Sequence, residues 1–137
     1  MKRILLVDDE PGILQTLRII LTADGHDIET AWSSKEAWGL LNHESFDLVV
    51  TDFNMAGMKG DELARLIKGQ SPETAVVMLS GSAEILQASG RALPGVDALI
   101  SKPFNMTEFR REIARLLKKD DLREPVERTS LVNHAAC

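Results

Sequence analysis

The sequence has a single cysteine, no long apolar run and no excess of basic residues. Cys137 is the one cysteine among 137 residues, so no disulfide can form within the chain. No apolar run approaches the roughly 20 residues that a membrane-spanning helix needs, and the first run reaches Asp8 too early for a signal peptide. Acidic residues outnumber basic ones by 21 to 16, which argues against a general nucleic-acid binder. We therefore expect a cytoplasmic protein with no direct nucleic-acid partner and no membrane contact.

Short apolar runs alternate with amphipathic segments along the chain, a pattern typical of βαβ units. Five predicted strands and five predicted helices give an α/β fold, a doubly wound (βα)5 three-layer sandwich around a five-stranded parallel sheet. The segment 82–91 is the least regular of the predicted helices, and the last predicted helix runs from about Met106 to Lys119. We expect residues 1–119 to form one domain, and residues 120–137 to form a polar C-terminal tail or the start of a linker.

Four of the predicted strands end in residues that suit phosphoryl chemistry. Asp8 and Asp9 follow the first strand, Asp52 ends the third, Ser80 ends the fourth and Lys102 follows the fifth. The carboxyl ends of parallel strands share one edge of the sheet, and ligand sites of open α/β sheets lie at that edge. These side chains are therefore expected to converge in a single crevice.

Each of these residues has a plausible chemical role. Asp8 and Asp9 are hard oxygen ligands suited to Mg²⁺, with Mn²⁺ as a substitute, and Asp52 would complete the shell while offering a nucleophilic oxygen. Ser80 and Lys102 could hold phosphoryl oxygens. Taken singly, the same residues could be dipole-favouring acids, a turn, a helix cap or a solubilising lysine. Their joint occurrence at four strand ends favours the chemical interpretation.

Together these motifs resemble the receiver domain of two-component response regulators. The resemblance covers residues 2 to about 119 and implies a flavodoxin-like strand order, 2-1-3-4-5, and a cis Lys102-Pro103 peptide. It also implies Mg²⁺-dependent phosphoryl transfer to Asp52 from a histidine kinase or phosphotransfer protein, with the backbone carbonyl of Asn54 as a further metal ligand. Such a domain is a phosphoacceptor rather than a conventional enzyme, and it signals through protein–protein contacts. The matching segments are Leu6-Val7-Asp8-Asp9-Glu10, Val50-Thr51-Asp52, Met78-Leu79-Ser80 and Ser101-Lys102-Pro103-Phe104.

The chain departs from the family pattern at positions that bear on switching. Leu99 stands where most relatives carry Tyr or Phe, which puts the usual coupling between Ser80 and an aromatic ring in doubt. The loop from Met55 to Gly60 lacks the usual proline and contains Gly57, so we expect it to be looser. Asn54 and Ser82 flank the route of water to the acyl phosphate, and neither is a strong base. We therefore predict no unusually fast self-catalysed hydrolysis.

Two other functions are compatible with part of this pattern. Haloacid-dehalogenase-type phosphatases use similar residues, but their nucleophile follows the first strand, whereas here the acidic pair comes first and position 54 is Asn. A receiver-like interaction module that never takes phosphate stays open because of Leu99. The chain could also be the receiver fragment of a longer regulator with a missing output domain. The downstream target of the protein is open, and a phosphorylation-dependent homodimer is a further option.

Trp32 and Trp38 are expected to be partly buried packing residues, and the three histidines are assigned no function.

Overall fold

The computed structural model describes residues 2–81 and 93–123. The predicted helix over 82–91, which includes Ser82, lies outside the described residues, as do residues 124–137.

The sheet has five parallel strands in the order β2-β1-β3-β4-β5, so the predicted flavodoxin-like order is confirmed. Each strand is short and rich in branched apolar residues, as expected for strands buried on both faces. The strands are β1 (Arg3–Val7), β2 (Asp27–Ala31), β3 (Leu48–Asp52), β4 (Ala75–Ser80) and β5 (Ala98–Ser101).

Four helices belong to the described residues, and their starts follow local sequence signals. Pro11 opens α1, where its missing N–H costs nothing. The Ser33 hydroxyl caps α2 by accepting the Glu36 N–H at 3.1 Å, as the capping-box spacing predicts. The Asn105 side chain accepts the Glu108 N–H at 2.7 Å at the start of α4. The helices are α1 (Pro11–Ala23), α2 (Ser34–Leu41), α3 (Gly60–Gln70) and α4 (Met106–Arg123).

Helix α4 extends beyond its predicted end at Lys119. It continues to Arg123, inside the segment that the sequence assigned to a polar tail. Residues 120–123 contain no glycine or proline, and the first proline comes only at position 125. Low hydropathy was therefore mistaken for the end of the helix.

Alternating side chains of the strands supply two separate cores, one on each face of the sheet. Ile4 and Leu6 of β1 pack on the side that includes residues of α1 and α4. Leu5 and Val7 pack on the other side, with residues of α2 and α3. This period-two alternation between two helical layers gives the predicted three-layer sandwich.

The prediction that Trp32 is partly buried is wrong. Strand β2 ends at Ala31, and Trp32 lies just beyond it with 63% of its surface exposed. Its backbone N–H donates to the Glu36 carboxylate at 2.7 Å, which holds the turn while the ring stays outside. Trp38, in α2, is half-buried as expected. Among the described helices, none combines the length and apolar character that crossing a bilayer requires.

Candidate functional site

The parallel register brings the predicted residues to one edge of the sheet. Asp8 directly follows β1, Asp52 and Ser80 end β3 and β4, and Lys102 directly follows β5. Ladder hydrogen bonds continue past the strand ends: the Asp8 N–H donates to the Ala31 carbonyl at 3.2 Å, and the Lys102 N–H donates to the Ser80 carbonyl at 3.0 Å. Regular backbone pairing therefore fixes where each side chain begins.

Three carboxylates meet at this edge. One oxygen from each of Asp8, Asp9 and Asp52 lies within 4.8 Å of the other two. Asp8 and Asp52 are only 2% and 7% exposed, whereas Asp9 is exposed. Buried like charges at this spacing are unfavourable unless a cation or a proton neutralises them.

Asp8 has one satisfied oxygen and one orphaned oxygen. Its Oδ1 accepts the Glu10 N–H at 3.0 Å, whereas its buried Oδ2 accepts no hydrogen bond from the described residues. Burial raises the pKa of Asp8; the Glu10 hydrogen bond and the Lys102 charge oppose this, while Asp52 and Asp9 reinforce it. An orphaned oxygen beside two other carboxylates fits a hard divalent cation such as Mg²⁺ or Mn²⁺.

Lys102 provides the positive charge in the crevice. Its Nζ lies 3.0 Å from Asp52 Oδ1, 3.6 Å from Asp8 Oδ2 and 3.9 Å from Glu10 Oε1. Burial lowers the pKa of Lys102, but the hydrogen bond to Asp52 and the surrounding carboxylates outweigh it and raise that pKa above its ordinary value. The ammonium therefore stays charged and is placed to bind an anionic group that approaches Asp52.

The loop between Asp52 and α3 is closed by an unusually tight backbone approach. The Gly60 N–H donates to the Phe53 carbonyl at 3.0 Å, and a Cβ on Gly60 would lie 2.5 Å from the Asp52 carbonyl oxygen. Only glycine lets α3 begin so close to the third strand. Sequence reasoning placed Gly60 in a flexible loop and missed this role, although a glycine at a strand-to-helix junction is a recognisable signal of close packing.

The remaining predicted residues surround this centre at different depths. Ser80 is fully buried at the end of β4, and Asn54 is exposed in the loop two residues after Asp52. Leu99 is half-buried on β5, opposite Met78 in the strand register. The cis Lys102-Pro103 peptide is confirmed. Sequence reasoning also gave no role to Glu10, whose carboxylate contributes to the environment of Lys102.

Comparison with known proteins settles the family. The family model for the response regulator receiver domain matches residues 4–114. The chain belongs to this family. Transcriptional regulatory protein GlrR of Escherichia coli K12 is 37% identical over 100 residues, which are 73% of this chain and 22% of GlrR. Several other curated relatives are about twice as long as the part that matches, so the chain spans about half their length or less.

Solved receiver domains share the fold over nearly their whole length. A CheY-like receiver domain protein from Methanospirillum hungatei has a TM-score of 0.83 and 29% identity, covering 90% of this chain and 98% of that one. Response regulator TrrA from Thermotoga maritima, crystallised in complex with Mg²⁺-BeF, has a TM-score of 0.73 and 31% identity, covering 85% and 99%. The receiver identification and its phosphoacceptor role in two-component signalling are thus confirmed, and receiver domains are partners of histidine kinases.

Proposed function

We propose that Asp52 is the phosphoacceptor of this receiver domain and that it takes the phosphoryl group from the phosphohistidine of a kinase or phosphotransfer protein. The observation that carries the proposal is the cluster of three carboxylates with the Lys102 ammonium 3.0 Å from Asp52. Among the described residues, this cluster alone joins three such potential ligands.

The proposed metal ligands are the carboxylates of Asp8, Asp9 and Asp52 together with the Asn54 backbone carbonyl. The orphaned Oδ2 of Asp8 supports a cation site here, and the Mg²⁺-BeF complex of TrrA supports Mg²⁺ as the ion. When bound, Mg²⁺ neutralises charge on the carboxylates and on the incoming phosphoryl oxygens.

The chain's own residues account for the rest of the transfer. An Asp52 oxygen forms a bond to phosphorus while the bond from phosphorus to the donor imidazole nitrogen breaks, and the imidazole keeps the electron pair. No general base is needed, because phosphoryl transfer depends mainly on positioning and charge. Lys102 then exchanges the Asp52 carboxylate for a phosphoryl oxygen, and Ser80 binds a second one. The domain assists its own Mg²⁺-dependent phosphorylation and dephosphorylation and is itself the molecule that is modified, so it is a phosphoacceptor rather than a conventional enzyme.

A direct test is incubation with acetyl phosphate and Mg²⁺, followed by intact-mass measurement. We expect wild type to gain one phosphoryl group, EDTA to prevent it, and Asp52→Asn to abolish it. Asp61→Asn, which removes a carboxylate on α3 outside the cluster, is the matched control and should react like wild type. No adduct on wild type, or an adduct that survives Asp52→Asn, would reject the proposal.

The lifetime of the adduct tests the roles proposed for Asn54 and Ser82. Neither side chain is a strong base, so we expect no unusually fast hydrolysis. Loss of the phosphoryl group within seconds would contradict this expectation.

A phosphorylation-independent interaction module is the second candidate, and the feature that favours it is leucine instead of an aromatic residue at position 99. Beryllofluoride with Mg²⁺ separates the two functions. Amide shifts that spread from Asp52 to β5 and α4 would support switching, whereas shifts confined to the crevice would favour the module.

We further propose residues 1–119 as the receiver domain. Residues 120–137, which include the last turn of α4, would be a tail or the start of a linker to an output domain.

A further inference from the structure

Ser34 connects helix α2 to the loop that follows the proposed phosphoacceptor. It is the first residue of α2 and is only 1% exposed. Its hydroxyl donates to the backbone carbonyl of Met58 at 2.7 Å, across 24 positions of sequence. Within the described residues, this is the one side-chain hydrogen bond to the backbone of residues 53–59.

Helix capping does not explain this contact. The α2 cap is formed by Ser33, whose hydroxyl accepts the Glu36 N–H at 3.1 Å. The Ser34 hydroxyl instead donates away from its own helix, to a carbonyl in another segment. Its role therefore lies in holding the loop.

The rest of the loop is held near its start, at its end and by the half-buried Met58 side chain, which packs against the core on the side of α2 and α3. Near its start the Met55 side chain is buried in the core, and at its end the Gly60 N–H binds the Phe53 carbonyl at 3.0 Å. Between these points Gly57 adopts a positive φ of 78°, and the sequence has no proline to restrict the backbone. The Ser34 bond therefore holds the backbone of the residue that directly follows Gly57.

We propose that Ser34 is a positioning residue for the phosphoryl-transfer site: by holding Met58 it fixes the loop that presents the Asn54 carbonyl to the metal ion. This inference rests on the proposed function, because it takes that carbonyl as a ligand. Without the Ser34 hydroxyl, the loop samples more conformations, and the carbonyl spends less time in the binding geometry. The cation then binds more weakly, although no direct ligand has changed.

The test compares Ser34→Ala with Thr74→Val. The Thr74 hydroxyl is also buried and donates to a distant carbonyl, that of Phe46, at 2.9 Å. Thr74 immediately precedes β4, at the sheet edge opposite the carboxylates, so its loss should lower stability without touching the loop. The pair separates local positioning from general destabilisation.

The first measurement is amide hydrogen exchange in EDTA, read at the Gly60 N–H, which needs no metal. We expect Ser34→Ala to speed this exchange about fivefold, the equivalent of one typical hydrogen bond, and Thr74→Val to leave it unchanged. The second is an Mg²⁺ titration followed by amide NMR shifts. The dissociation constant should rise about fivefold in Ser34→Ala and stay at the wild-type value in Thr74→Val.

Four results would overturn the inference. Unchanged Gly60 exchange in Ser34→Ala would show that the hydroxyl does not hold the loop. Faster exchange with unchanged Mg²⁺ affinity, or equal effects in Thr74→Val, would show a purely structural role. Absence of Mg²⁺ binding by wild type would remove the metal site and the positioning role together. The metal-free exchange data would distinguish that failure of the proposed function from a failure of the Ser34 contact.

Discussion

Replacing Asp8 with asparagine is expected to stabilise the metal-free protein. Asp8 is 2% exposed, its Oδ2 has no hydrogen-bond donor among the described residues, and carboxylate oxygens of Asp9 and Asp52 lie within 4.8 Å. A buried polar atom left unsatisfied costs about 1–3 kcal/mol. The Lys102 ammonium, 3.6 Å from Oδ2, offsets part of the like-charge repulsion. Asparagine keeps an acceptor for the Glu10 N–H and replaces the orphaned oxygen with a donor.

We therefore expect Asp8→Asn to raise the free energy of unfolding in EDTA by about 1–2 kcal/mol, measured by urea titration. Mg²⁺ should reverse the order. At a hundredfold excess over its dissociation constant, a ligand stabilises the folded state by about 2.7 kcal/mol. Wild type should gain this stabilisation, whereas the variant, which lacks a carboxylate ligand, should gain little.

Asp9→Asn is the matched control for burial. Asp9 belongs to the same carboxylate cluster but is exposed, so its replacement should change stability in EDTA by less than about 0.5 kcal/mol while also weakening the Mg²⁺ response. If Asp8→Asn were destabilising in EDTA, or if Asp9→Asn gave an equal gain, the burial of an unpaired carboxylate oxygen could not be the cause.

Three further predictions concern Gly60, His26 and Lys102. Gly60→Ala should lower the free energy of unfolding, measured by urea titration, by about 1–3 kcal/mol, because the alanine Cβ would lie 2.5 Å from the Asp52 carbonyl oxygen. At Gly39 nothing lies within 4 Å of the added carbon, so Gly39→Ala should instead raise the free energy of unfolding by up to about 1 kcal/mol. A lower free energy of unfolding in Gly39→Ala would contradict the steric explanation. Burial lowers the pKa of His26, so wild-type stability should fall as the pH drops below the ordinary histidine value of about 6.5. His26→Gln should lack that part of the pH dependence. Identical profiles of stability against pH in wild type and variant would refute the assignment to His26. In wild type the Lys102 ammonium competes with a cation for Asp52, so Lys102→Met should bind Mg²⁺ several-fold more tightly in an NMR titration. Weaker binding by the variant would count against that competition.

The sequence was sufficient for those features that depend on regular backbone structure. Asp8, Asp52 and Lys102 were predicted to converge because parallel strands put their carboxyl ends at one edge, and the register does bring them together. The two-sided core follows in the same way from continuous apolar runs that alternate with amphipathic segments. These inferences need only the direction and the period of the strands.

Contacts between a side chain and a distant loop could not be predicted. The Ser34 bond to Met58 joins segments 24 positions apart, and no periodicity marks either partner. The sequence supported only the expectation that Gly57 loosens the loop, which stays a prediction. The exposure of Trp32 was missed because one residue decides whether a strand-end side chain faces the core or the solvent.

The charge balance of the crevice explains why phosphorylation should redirect Lys102. Three carboxylates and one ammonium leave a formal charge of −2, which a bound divalent cation would cancel. A phosphoryl group carries about two negative charges and replaces the single charge of Asp52, so the modified site again has an excess of negative charge. The Lys102 backbone is held to the Ser80 carbonyl at 3.0 Å, which confines its response to the flexible side chain. The ammonium can therefore follow the new charge without disturbing β5, and any wider change must come from residues beside it. Leucine at position 99 offers no aromatic ring for such a change, so the shifts that beryllofluoride induces in β5 and α4 are the measurement that decides whether the domain switches.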